Sequence, residues 1–157
     1  MIAIKEALPG DYFIVTNLFE KLIREIEDRT HSGSNIFHTT NTGEKCREFI
    51  ESGLYKVFLA VDEENKKSIG FLSLCESYSL YADGSYAIIQ EFFVEPAYRS
   101  KGVGRKLLKA AKLYGVEKGW KRLEATTPPL PAFERTFSFY EQNGFQITGG
   151  RKMKKDL

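Results

Sequence analysis

Glu91-Phe92-Phe93-Val94-Glu95-Pro96-Ala97-Tyr98-Arg99-Ser100-Lys101-Gly102-Val103-Gly104-Arg105-Lys106-Leu107-Leu108 decides how this chain is read. The residues predict a β-strand, a proline-bearing turn, a glycine-rich loop and an amphipathic helix in immediate succession. A helix start presents unpaired backbone N–H groups and the positive end of a dipole, so it receives anions. Gly102 and Gly104 let a bulky anion approach that backbone, and Arg99 and Lys101 add charge beside it. A polyphosphate is the expected occupant of the loop, which also contains Ser100 and Val103.

The spacing Arg99-x-x-Gly102-x-Gly104, after a strand ending at Val94, resembles the acyl-coenzyme A loop of the GNAT superfamily of N-acetyltransferases. Downstream, Ser138-Phe139-Tyr140-Glu141-Gln142-Asn143-Gly144-Phe145 resembles that family's second signature, a tyrosine-bearing helix that ends before Gly-Phe. Order and separation both match, and the pattern spans essentially the whole chain. The resemblance implies one domain over residues 1–157, of α/β (α+β) class. Its central mixed sheet would have six to seven strands flanked by about four helices.

Acetyl-CoA would be the co-substrate and a small-molecule amine the acceptor. The resemblance further implies that two strands splay at a bulge near Val94, where free backbone receives the pantetheine arm and the thioester oxygen. Phe92 and Phe93 would flank the arm or the core. By the same resemblance Tyr140 protonates the departing thiolate. One departure is Phe133, which stands where the family often has an asparagine seven residues before its tyrosine. Thr136 or a backbone group is expected to take over that cofactor contact.

Acyl transfer to an amine also needs a base, because at pH 7 only roughly one lysine-like amine in two thousand is neutral. Glu91 is the candidate. It interrupts the run Ile88-Ile89-Gln90-Glu91-Phe92-Phe93-Val94, and a carboxylate in a buried strand needs a partner, water or a purpose. Partial desolvation would raise its pKa towards neutrality, which suits a base. A salt bridge, or a side chain on a solvent-lined cleft, remains open for Glu91, as does a packing role for Tyr140 beside Phe137, Phe139 and Phe145. Both residues would be dispensable in the rival reading, a non-catalytic acyl-CoA-binding or sensing domain.

Composition narrows the remaining classes. The 157 residues, 42% apolar and 28% charged, suit one domain that buries roughly 70% of its unfolded surface. No stretch approaches the ~20 apolar residues of a membrane span, and the start Met1-Ile2-Ala3-Ile4-Lys5 alternates like a strand rather than a signal peptide. Cys46 and Cys75 lack metal or redox flanks and read as reduced thiols, so a cytoplasmic setting without a membrane partner is expected. No His/Cys/Asp cluster has metal-ligand spacing, so no metal is expected; His31 and His38 read as solvated loop residues.

Bases crowd residues 99–122, yet they are not interleaved with aromatics as a stacking surface requires. Specific nucleic-acid binding is therefore not expected; a homodimer is left open. The strand-and-loop segment around Glu91 and Arg99 most resembles polyamine and diamine acetyltransferases, and acids such as Glu20, Glu25 and Glu44 on the first two helices point the same way, to a small cationic amine.

Along the chain, strands are expected at residues 1–7, 55–61, 69–74, 86–94 (the central one) and 123–127. A final hairpin is expected at residues 145–148 and 151–155 around Gly149-Gly150. A first helix opens at Pro9-Gly10-Asp11 with Asp11 as N-cap and buries Val15, Leu18, Phe19, Leu22, Ile23 and Ile26. A polar loop over residues 30–43 precedes a short helix over residues 44–52. The helix after the glycine loop turns Val103, Leu107, Leu108, Ala111 and Val116 inward and stops at Gly119, and another spans residues 134–142.

Overall fold

The computed structural model describes residues 1–31 and 40–157, which group into two units, Met1–Thr126 and Thr127–Leu157. His38 lies outside the described residues. The first unit runs β1 (Ile2–Glu6), α1 (Tyr12–Thr30), α2 (Thr42–Glu51), β2 (Tyr55–Asp62), β3 (Lys67–Ser79), β4 (Gly84–Val94), α3 (Val103–Lys118) and β5 (Leu123–Ala125), with 3-10 turns at Pro9–Asp11 and Pro96–Tyr98. The strands lie side by side in chain order, antiparallel except for the parallel pair β4–β5.

Alternation along the strands divides the core between two faces. Val57, Leu59, Phe71 and Phe93 point to one face and form a cluster with Ala7 and with Val15 and Leu18 of α1. The opposite face takes α3, whose Tyr114 meets Phe58 edge-on at 6.0 Å. Val103, Leu107, Leu108 and Ala111 of α3 are buried as their spacing predicts, but Val116 is 80% exposed. Gly115 takes the inward place, one helical turn after Ala111, and backs onto the Trp120 ring. Gly119 ends the helix in a left-handed conformation, its N–H reaching the carbonyls of Gly115 and Val116.

Among the described residues the sheet has five strands rather than six to seven. Gly149 and Gly150 adopt the positive φ that a tight turn demands, but residues 145–157 form no strand. Residues 151–157 are all exposed, and Arg151-Lys152-Met153-Lys154-Lys155 offers no apolar face to bury against a sheet. β3 and β4 are longer than the expected runs because their ladder continues through Ser79↔Gly84, which leaves only residues 80–83 in the turn. The middle strand is β3, not β4. Asp11 does not cap α1 with its side chain; its carboxylate accepts from the Leu8 N–H at 2.9 Å.

The second unit holds α4 (Glu134–Gln142), at the expected bounds. Tyr140, 7% exposed, packs edge-on against Phe145 with ring centroids 5.1 Å apart, and the Phe145 N–H donates to the Tyr140 carbonyl.

Candidate functional site

The site grows out of an irregularity in β4. Ser73 of β3 sits opposite Glu91, but the next residue, Leu74, sits opposite Ile89, so Gln90 is an extra, exposed residue in β4. Because β5 pairs only with Ala87, Ile88 and Ile89, the edge of β4 from Gln90 to Val94 has no ladder to β5. The bulge lies four residues before Val94, where the resemblance places it.

The bulge also decides where Glu91 points. Residues directly opposite each other share a face. Glu91 therefore lies with Ser73, Val57 and the α1 side of the sheet. There a cavity of about 200 Å³ opens between the sheet and helices α1 and α2. Val15, Phe19, Phe49 and Phe71 give it apolar walls; Tyr55, Ser73 and Glu91 supply polar groups.

The Glu91 carboxylate is held from two sides. The Ser73 hydroxyl accepts from the Glu91 backbone N–H at 3.0 Å and donates to Oε2. With that hydroxyl engaged by the N–H, its one proton is directed at the carboxylate. Tyr55 donates to Oε1 across a long 3.4 Å. Burial pushes the Glu91 pKa above its ordinary 4.5, and the Ser73 and Tyr55 hydrogen bonds oppose that shift without cancelling it. Burial likewise raises the Tyr55 hydroxyl, with the Glu91 charge adding to it, and raises the Cys46 thiol on the cavity wall.

Beyond Val94, after the 3-10 turn, lies the start of α3. Gly102 is its N-cap, with φ 80°, and no side chain caps the helix. A Cβ built on Gly102 would project into open space. First-turn N–H groups, the positive dipole end and the absence of a side chain together make this helix start a cradle suited to an anion. Ser100 also has positive φ, 60°, and Lys101 holds its ammonium 5.5 Å from the centre of the Tyr98 ring.

Arg99, by contrast, is committed within the protein. Its two terminal nitrogens donate to both carboxylate oxygens of Glu25 at 2.7 and 2.6 Å, and Nε donates to the Val94 carbonyl at 2.8 Å. Its guanidinium ties α1 to the end of β4, so the cradle's own charge comes from backbone and Lys101.

The paired phenylalanines separate. Phe93 joins the α1-side cluster, and Phe92 takes the other face. Gly70 lies opposite Val94, and a Cβ there would come within 2.8 Å of the Phe93 carbonyl, so the two strands approach closely only because that position is glycine. In the second unit burial raises the Tyr140 pKa, so the hydroxyl keeps its proton at neutral pH. Thr136 lies one turn before Tyr140 on the same side of α4, and Phe133, at the asparagine position, is buried.

Sequence reasoning missed Tyr55, Ser73 and the walls of the cavity. One signal was available for Ser73: a lone hydroxyl inside the apolar run Ile69-Gly70-Phe71-Leu72-Ser73-Leu74. Among the described residues no group of three or more His, Cys, Asp or Glu is placed to hold a metal, and no helix is long and apolar enough to cross a membrane.

A family model described as an acetyltransferase (GNAT) domain matches residues 54–147. A curated relative, an uncharacterized N-acetyltransferase, YhfO, of Bacillus subtilis (strain 168), is 38% identical over 92 residues. That match covers 59% of this chain and 60% of the relative, so the chain spans about three fifths of the relative's length. Solved structures extend the likeness of fold. AAC(6')-Iy in complex with the bisubstrate analog CoA-S-monomethyl-acetylneamine superposes with a TM-score of 0.77 at 18% identity, over 100% of this chain and 99% of that one. A ribosomal-protein-alanine N-acetyltransferase from Brucella melitensis biovar Abortus 2308 gives 0.75 at 13%, over 98% and 99%. An aminoglycoside acetyltransferase from an uncultured soil metagenomic sample, in complex with sisomicin, gives 0.70 at 20%, over 98% and 97%. The polyamine lean of the sequence finds no support in these.

Proposed function

Because this chain belongs to the GNAT acetyltransferase family, with its α/β fold and mixed sheet, we propose that it transfers an acetyl group from acetyl-CoA to a primary amine by direct attack. The observation that carries the reading is Glu91: a carboxylate held by Ser73 and Tyr55 in a cavity beside the stretch of β4 that has no ladder to β5, with its pKa raised by burial. A raised pKa makes a carboxylate a stronger base, better able in its ionised form to take a proton from an arriving ammonium.

Acetyl-CoA supplies the activated acyl group as donor substrate. The N–H groups of Val103 and Gly104 and the open backbone at Gly102 are assigned to its pyrophosphate, with Ser100 and Lys101 beside them. The part of β4 near Val94, beyond its ladder with β5, is assigned to the pantetheine arm. Tyr140, protonated at neutral pH, is assigned as the donor to the leaving thiolate, and Thr136 as a cofactor contact in place of the missing asparagine. Fixed backbone N–H groups near a developing oxyanion are typically worth a few kcal/mol.

Incubating the protein with acetyl-CoA and a panel of primary amines, and following free thiol, tests the reading. Amine-dependent thiol release that falls with Glu91→Gln supports it. Coenzyme A binding without release from any amine would leave an acyl-CoA-binding domain instead.

A further inference from the structure

We propose that the acceptor is a primary amine carried on a single apolar, ring-sized body, with one positive charge and no second cationic group. The inference rests on the assignment of Glu91 as base and concerns what the cavity around it admits.

Size is the first argument. A dry cavity of about 150 Å³ lined by aliphatic and aromatic side chains holds a benzene molecule. The cavity at Glu91 is about 200 Å³, room for one ring and a short arm. Its walls are Val15, Phe19, Phe49 and Phe71, and Phe49 is braced by the Tyr55 ring at 5.1 Å. Such walls reward an apolar body, while the other described lining groups, Thr16, Thr40, Thr42, Cys46, Tyr55 and Ser73, are neutral hydroxyls and a thiol that offer a second cation no counter-charge.

Charge is the second. Among the described lining residues Glu91 is the single acid, and its Oε1 carries only the long Tyr55 bond, which leaves that oxygen open to an ammonium. No acid of α1 is among the described lining residues of the cavity. Glu25 is bound by Arg29 and Arg99, Glu20 lies 3.9 Å from Arg24, and neither lines the cavity. The exposed Lys45 stands at the rim and repels a second positive charge there. A polyamine or aminoglycoside would set an unpaired ammonium against phenylalanine or beside Lys45, which is costly. The same apolar walls favour the neutral form of a lone amine, the form that attacks.

The test uses the whole chain with 2-phenylethylamine, putrescine and spermidine. Two readouts are needed: thiol release from acetyl-CoA, and calorimetric binding of each amine to protein saturated with coenzyme A. The expected result is a kcat/KM at least tenfold higher for 2-phenylethylamine than for either polyamine. Phe49→Ala should cut that advantage mainly through KM. The surface variant Lys45→Glu, which leaves the apolar walls intact, should narrow it by admitting the second charge of putrescine. Equal or better use of a polyamine by the unmodified protein overturns the inference while acetyl transfer stands, and so does a ratio unchanged in both variants. Failure of 2-phenylethylamine to bind overturns it as well. If 2-phenylethylamine binds in preference to the polyamines yet no amine releases thiol, the acceptor inference holds and the transfer reading falls.

Discussion

The glycine loop and the Glu91 cavity are neighbours along β4, and they are built in opposite ways. The loop is made of backbone atoms from one short stretch, Arg99-Ser100-Lys101-Gly102-Val103-Gly104, and the side chain expected to help most, Arg99, is bound to Glu25. The cavity is made of side chains from α1, α2, β2, β3 and β4. Backbone sites tolerate changes of side chain as long as the chain can follow its path; assembled side-chain sites do not. The loop should therefore be sensitive to conformation and bulk, the cavity to chemistry.

The largest effects should come from chemistry. Glu91→Gln keeps the shape but cannot accept a proton, and should lower the rate at neutral pH by about 10²–10⁴-fold, the usual worth of a general base. The native rate should rise with pH as the raised carboxyl ionises and then level off, whereas the variant should keep climbing towards the pKa of the amine. Stability carries the opposite sign. A carboxyl whose pKa is raised by folding contributes most when protonated and loses that contribution as pH rises through its folded pKa, so the variant should gain stability relative to the native chain above that point. Coinciding pH–rate profiles would remove Glu91 from the mechanism.

Tyr140→Phe removes one hydroxyl while keeping the ring against Phe145, and should reduce kcat within the same range of about 10²–10⁴-fold without altering coenzyme A affinity. Turnover within twofold of the native enzyme would make Tyr140 a packing residue.

Gly102→Val attacks the loop by conformation. A β-branched residue at φ 80° is strained, and its side chain enters the space open to an anion, so coenzyme A should bind at least about 100-fold more weakly by calorimetry. An unchanged Kd in the folded variant would end the view of the loop as a backbone site.

Ser73→Ala should be milder. It removes a donor that lowers the Glu91 pKa, so the midpoint of the pH–rate profile should move up and the rate below that midpoint should fall severalfold. A drop in rate with the midpoint unmoved would mean that Ser73 only supports the strand. Smallest is Arg99→Lys. Losing the forked pair with Glu25 should cost about 1 kcal/mol of stability in a denaturant titration, yet change coenzyme A affinity less than threefold. A large loss of affinity with stability intact would return Arg99 to the phosphate site.

The same contrast explains what could be read in the sequence. The loop, α3 and α4 were legible because their signals are contiguous: glycines at a helix start, apolar spacing, a terminating Gly-Phe. Phe19 reads as an ordinary core-facing helix residue, since nothing local tells that it and Phe49 line one cavity. The helix-face reading of the acids missed that Glu25 is spent on Arg99, 74 residues away. The final hairpin is absent because the turn residues Gly149-Gly150 are followed by a segment, residues 151–155, with no apolar face to bury. Simple alternation puts Glu91 on the face of Ala87 and Ile89; the ladder puts it with the partners of Ser73 and Val57 instead.

That last difference traces to Gln90, and its consequence is genetic. Ile88 and Glu91 both pair towards the α1 side, while Ile89 and Phe92 both pair towards α3. Remove the intervening residue and each half of the strand keeps its partners on β3, so neither core layer has to be rebuilt. One in-frame codon is thus the distance between a regular β3–β4 ladder and a bulged one. A sheet of this design can turn a carboxylate from one face to the other in a single step of inheritance, leaving the interior on both sides as it was.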